Sequence, residues 1–121
     1  MIHLSDKYRY LVYNGETDMR KSFHGLASIV KQKMQCDVLN GDMYIFISRR
    51  RNSIKILRFE GDGFAIFYKR LEKGTFEMPA YDGQSHSMLI TDNELLFILK
   101  GVALRQVKYR SRYSHFSTAC E

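Results

Sequence analysis

The chain has 121 residues, 45% hydrophobic and 26% charged, which is enough for one ordinary hydrophobic core and too balanced for a disordered segment. Its formal net charge of +6 favours a polyanionic partner without naming one. The longest apolar run, residues 95–99, is far too short to span a bilayer, and Asp6, Lys7 and Arg9 interrupt the start before any signal-peptide core. A cytoplasmic protein with no membrane partner is therefore expected. Cys36 and Cys120 stand far apart in no metal-ligand spacing and read as two free thiols in a reducing compartment.

The first strand is predicted over residues 8–13, after which Asn14-Gly15 turns the chain. Met19, Phe23, Leu26, Val30 and Met34 recur at three- and four-residue steps, so the spacing predicts an amphipathic helix over 18–34 with Thr17 or Asp18 as its cap. Residues 43–47, Met-Tyr-Ile-Phe-Ile, form a short apolar, β-rich run of the kind found in a central strand. Residues 49–53 read as a hairpin tip and 54–60 as the returning strand. Gly61-Asp62-Gly63 is a tight-turn signal, followed by a strand over 64–71. Residues 76–78 extend as far as Pro79, which ends the segment or places it at a sheet edge. The stretch at Asp82-Gly83 is loop, and 86–90 supplies one more strand. Thr91 and Glu94 have capping-box spacing, which favours a helix over 95–100 ended by Gly101.

The order β-α-β-β-β(-β)-α predicts an α+β domain over residues 1–104, an antiparallel β meander of four to five strands with two helices packed on one face. Residues 105–121 interleave cations with aromatics. This tail reads either as a flexible terminus or as a segment that orders on nucleic acid, with Arg110 and Arg112 as its candidate contacts.

Catalytic signals are sparse. His3, His24, His86 and His115 are scattered in no metal-ligand spacing, and there is no nucleophile elbow. A two-metal nuclease needs converging carboxylates. Asp18, Asp42, Glu60, Asp62, Glu72 and Glu77 are available, but Asp18, Asp42 and Asp62 have local explanations as cap and turn residues. No enzyme activity, cofactor or metal is expected. The basic residues say more. Arg49, Arg50 and Arg51 share a hairpin tip, with Lys55 and Arg58 just beyond and Lys69 and Arg70 on the neighbouring strand. A meander would gather most of them at one end of the sheet, where arginine forks bind phosphate bidentately. Sheet-edge cations also serve simply to prevent aggregation.

Two stretches resemble a known family. One is Thr17-Asp18-Met19-Arg20-Lys21-Ser22-Phe23-His24-Gly25-Leu26-Ala27. The other runs from Gly41 through residues 49–51, 54–57 and Gly61-Asp62-Gly63-Phe64 to Tyr68-Lys69-Arg70-Leu71-Glu72-Lys73-Gly74-Thr75-Phe76. Together they resemble the TnpB-type accessory protein encoded by the second open reading frame of insertion-sequence-66 elements, which is unrelated to the RNA-guided nucleases of the same name. Its motif falls on Asp18, Arg20, Lys21, Gly25, Gly61, Asp62, Gly63, Lys69, Arg70 and Glu72. Phe59-Glu60 and Phe67 depart from the family's usual Trp-Asp and Trp, changes that keep aromatic and acidic character. The resemblance implies a non-catalytic transposition accessory. Its partners would be DNA at the mobile element's ends, the element's large transposase and other element-encoded proteins, with Arg20 and Lys21 added to the candidate DNA contacts. Two other readings stand beside it. One is an interaction module that recruits or regulates the transposase without touching DNA, motivated by the 18–34 helix and the tail. The other is a small metal-dependent nuclease built on the carboxylates.

Overall fold

A computed structural model describes residues 2–80 and 85–104 of the chain. The elements run β1 (Tyr10–Tyr13), α1 (Phe23–Gln32), β2 (Met43–Ile47), β3 (Ser53–Phe59), β4 (Phe64–Arg70), β5 (Ser87–Ile90) and α2 (Asp92–Lys100), with a short 3-10 turn at Val38–Asn40. The α+β class follows. The five strands form one sheet in the order β4-β3-β2-β1-β5.

The sheet is mixed, which corrects the antiparallel meander. β2, β3 and β4 are joined by hairpins, and β5 lies antiparallel to β1, but β1 and β2 pair in parallel with Tyr10 opposite Met43. Parallel neighbours cannot be joined by a hairpin, so a crossover must connect them, and α1 lies in it. The helices also lie on opposite faces, not on one. Side chains alternate along each strand. Leu11, Tyr44, Phe46 and Leu57 pack against Leu26 and Val30 of α1, together with Met34 and Cys36. Tyr10, Val12, Met43, Ile45, Ile47, Ile54 and Ile56 pack on the other face against Leu95 and Ile98 of α2, with Phe76 and Ile90. Every residue of β2 is buried because both of its faces are covered.

The local signals held unevenly. The capping box is formed: Glu94 N donates to Thr91 Oγ1 at 3.1 Å and Thr91 N donates to Glu94 Oε1 at 2.9 Å, so α2 starts at Asp92, ahead of the expected 95. The stripe is real at Leu26 and Val30 of α1 and continues at Met34 beyond it, but the helix spans only Phe23–Gln32, short of 18–34 at both ends, with Ser22 as an N-cap that makes no side-chain bond. Thr17 instead bridges to Ser48, and the Asp18 carboxylate turns to Arg20. Of the residues expected to cap the helix, Thr17 is thus tied to the sheet and Asp18 to Arg20. Gly61 has φ +96°, a conformation natural only to glycine, and Glu60 N donates to Gly63 O at 2.8 Å to close the β3–β4 hairpin. Residues 76–78 form no strand. Phe76 is buried under α2 and its N–H donates to Arg51 O at 2.6 Å. Cys36 is buried in the core beneath α1, and the free-thiol reading turns on Cys120 as well. Cys120, the 105–121 tail and the Asp82-Gly83 loop lie outside the described residues.

Candidate nucleic-acid interface

Strand directions decide which cations meet. β2 and β4 end, and β3 begins, at the same end of the sheet, where Ser53 lies opposite Arg70 and Ile54 opposite Lys69. The β2–β3 turn carrying Arg49, Arg50 and Arg51 projects from that end, and all three are exposed. β1 also ends there, so the segment leading into α1, with Arg20 and Lys21, runs alongside, held by the Thr17–Ser48 bridge. α2 runs back towards the same end, and Lys69 Nζ donates to Leu99 O at 3.4 Å. A cleft of about 560 Å³ opens there between residues 69–76 and the end of α2, lined by Lys69, Lys73 and Lys100 among others. A smaller hollow of about 160 Å³ lies beside the turn, lined by Glu16, Ser48, Arg49 and Arg51 among others.

The turn is held from behind. Arg51 N donates to Ser48 O at 2.9 Å and Ser48 N to Ser53 O at 3.0 Å. Leu71 N donates to Asn52 O at 2.8 Å, and Phe76 N to Arg51 O. Backbone position is therefore fixed from both sides while the three arginine side chains point out. Arg51 itself sits at φ +61°, a left-handed conformation that disfavours a side chain by roughly 1–2 kcal/mol. Such strain persists where the surrounding structure over-determines it, and it clusters at functional sites.

Not every expected cation joins this surface. Lys55 is only 9% exposed. Its Nζ donates to Met19 O at 2.7 Å and to Lys21 O at 2.8 Å, and lies 4.9 Å from the centre of the Tyr68 ring. Its ammonium fastens the 19–21 segment to the sheet and so sets where Arg20 and Lys21 stand. Arg58 is at the far end of β3, opposite Ala65, with its guanidinium 4.1 Å over the Tyr8 ring. Arg49 approaches Glu16 at 3.9 Å but keeps 83% of its side chain exposed, so that pair is loose. Arg20 grips Asp18 through Nε and Nη2, and that bonding lowers the Asp18 carboxyl to about 2. Arg110 and Arg112 lie outside the described residues. Lys100 was absent from the expected set. Its signal was the helix ending at Gly101, but only the direction of α2 brings it to this end.

The carboxylates divide between the two ends. Asp18 and Glu72 lie near the basic end, whereas Asp42, Glu60 and Asp62 lie at the other. Burial pushes the Asp42 carboxyl up, against the opposing pull of Arg9. Among the described residues no group of three or more His, Cys, Asp or Glu side chains is placed to hold a metal ion. Among the described residues no helix is long and apolar enough to cross a membrane.

Fold and site together define a small α+β domain with one strongly basic end. Residues 8–109 match the family model described as IS66 Orf2 like protein, and the chain belongs to that family. The family is associated with transposition, in an accessory role. The chain is 30% identical over 105 residues to the uncharacterized protein y4hO of Sinorhizobium fredii (strain NBRC 101917 / NGR234), covering 87% of this chain and 90% of that one. It is 28% identical over 109 residues to the uncharacterized protein y4jC of the same organism, covering 89% and 91%. No solved structure matches. Within the matched region, Gly25 allows a close approach in α1, where a Cβ would meet Lys21 Cβ at 3.0 Å.

Proposed function

We propose that this protein is a non-catalytic accessory that binds the mobile element's DNA through the basic end of its sheet, in the cytoplasm and alongside the element's large transposase. The observation that carries the reading is the convergence of Arg49, Arg50 and Arg51, on a turn with a fixed backbone, with Lys21, Lys69, Arg70, Lys73 and Lys100 from three other segments. Arginines on a rigid projection suit the phosphate backbone: their forks pair bidentately, and little conformational freedom is lost on binding. The far end of the sheet carries Asp42, Glu60, Asp62, Asp92 and Glu94 against Arg9 and Arg58. The molecule is therefore polarised, which orients it as it approaches a polyanion. Leu26 and Val30 of α1 are spent on the sheet, which leaves Phe23 as the exposed member of the stripe for a transposase-docking role of that helix.

The test is fluorescence anisotropy with DNA from the element's ends and with shuffled DNA of equal length. Replacing Arg49, Arg50 and Arg51 by alanine should weaken binding and reduce the slope of log K against log salt by up to about 2.7, at about 0.9 per phosphate contact. Unchanged affinity and slope in a folded triple variant would remove this surface from the mechanism. A preference of roughly a thousandfold for element ends marks site recognition, whereas equal binding to both DNAs marks backbone attraction alone.

A further inference from the structure

The two edges of the sheet differ in how they are protected. β5 has four residues, and shortness alone makes a poor template for pairing. β4 has seven, in unbroken register with β3 from Phe64 to Arg70, with no proline, glycine or bulge and with charges confined to its last two positions, Lys69 and Arg70. Its first five residues are Phe-Ala-Ile-Phe-Tyr, yet none of its residues is buried, and Tyr68 is 50% exposed. Apolar side chains on both faces of a long edge strand are what proteins usually avoid, unless the edge is used.

Hydrogen bonds show which backbone groups are available. Glu60 N bonds Gly63 O and Leu71 N bonds Asn52 O. Bonded pairs alternate in an antiparallel ladder. The amides and carbonyls of residues 65, 67 and 69 therefore face β3, while those of Phe64, Ile66, Tyr68 and Arg70 face outward. Among the described residues none pairs with them.

We propose that β4 is the pairing edge for a second copy of this chain, joined antiparallel about Ile66 so that one sheet runs through both copies. In that register the outward-facing groups meet one another: Ile66 faces Ile66, and Phe64 faces Tyr68. On the other face Ala65 lies opposite Phe67, small against large. Beyond the strand, Asp62 of each copy lies opposite Arg70 of the other, joining acidic hairpin to basic end. Centring on Phe67 instead would set Asp62 against Glu72 and Phe64 against Arg70, so charge favours the Ile66 register over that one. The dimer leaves the two β2–β3 turns at opposite ends of the joined sheet.

Sedimentation equilibrium of the full chain without DNA, across the micromolar range, tests this independently of the DNA reading. The wild type should be dimeric. Ile66→Lys faces two ammonium groups across the two-fold axis and should raise the dimer Kd roughly tenfold or more. Asp62→Arg, on the exposed hairpin, should do the same by facing Arg70, and adding Arg70→Asp should restore dimerisation. Circular dichroism confirms that each variant is folded; if Ile66→Lys is not, the Asp62 and Arg70 series decides alone. A monomeric wild type overturns the proposal, and so does an Asp62→Arg variant that dimerises as tightly as wild type.

Discussion

Replacing Lys55 by methionine separates holding the fold from holding DNA. The substitution keeps the length of the stem and its packing on Tyr68 but removes the two bonds from Nζ to the Met19 and Lys21 carbonyls. Hydrogen bonds to a charged group contribute about 1.5–3 kcal/mol each. Two of them set an upper bound of about 6 kcal/mol, but the methionine also removes an ammonium that is costly to hold in a nearly buried site. Lys21 is itself exposed, so water replaces part of what its carbonyl loses. A net loss of about 2 kcal/mol is expected. With a urea m-value of about 1.5 kcal/mol/M, the unfolding midpoint should fall by about 1.3 M at constant m. The salt slope of DNA binding should stay as in wild type, because an ammonium committed to backbone carbonyls releases no counterion on binding, whereas a phosphate contact would remove about 0.9. A Lys55→Met protein that is as stable as wild type but has lost that increment of slope would refute the reasoning and return Lys55 to the DNA surface.

Three further outcomes follow from the same geometry. Arg51→Gly relieves the left-handed conformation, so urea unfolding should show roughly 0.5 kcal/mol of added stability after glycine's extra unfolded-state entropy, while the DNA salt slope falls by about one. Thr91→Ala removes the capping box of α2 and should lower stability by about 1 kcal/mol in the same assay. Asp42 has a raised carboxyl because it is buried, so its folded state holds the proton more tightly than the unfolded state does. Its ionised form therefore costs stability above the folded pKa, and the cost disappears as pH falls through that pKa to below the unfolded value. Asp42→Asn should accordingly raise the melting temperature near neutral pH and lose the advantage in acid; an advantage that grows in acid would show that the pair with Arg9 outweighs burial.

Residues acting on near neighbours were legible in the chain. The two-faced apolar run of β2, the Gly61 turn, the Thr91–Glu94 cap and the Leu26–Val30–Met34 stripe all follow from periodicity and turn chemistry, which depend on a few adjacent residues. The arginine turn was legible for the same reason. The start of α1 was not, because Thr17 and Asp18 found partners outside the helix, in Ser48 and Arg20. Lys55 and Arg58 looked like their arginine neighbours. Whether a cation on a strand meets solvent or a carbonyl depends on what crosses above it, and the segment above Lys55 lies more than thirty residues away in the chain.

By itself the sequence determined the element types, the hairpins on either side of β3, the basic turn and the family to which the chain belongs. Only the tertiary structure decided that β1 enters the sheet parallel to β2, that the helices take opposite faces, and that Lys100 joins the basic end while Arg58 leaves it. The physical reason is the range of the forces involved. Local propensity and alternation say which face of a strand is apolar, but not which strand lies beside it. That choice is made by burying both faces of β2 at once, which requires a crossover above the sheet and a second helix below it.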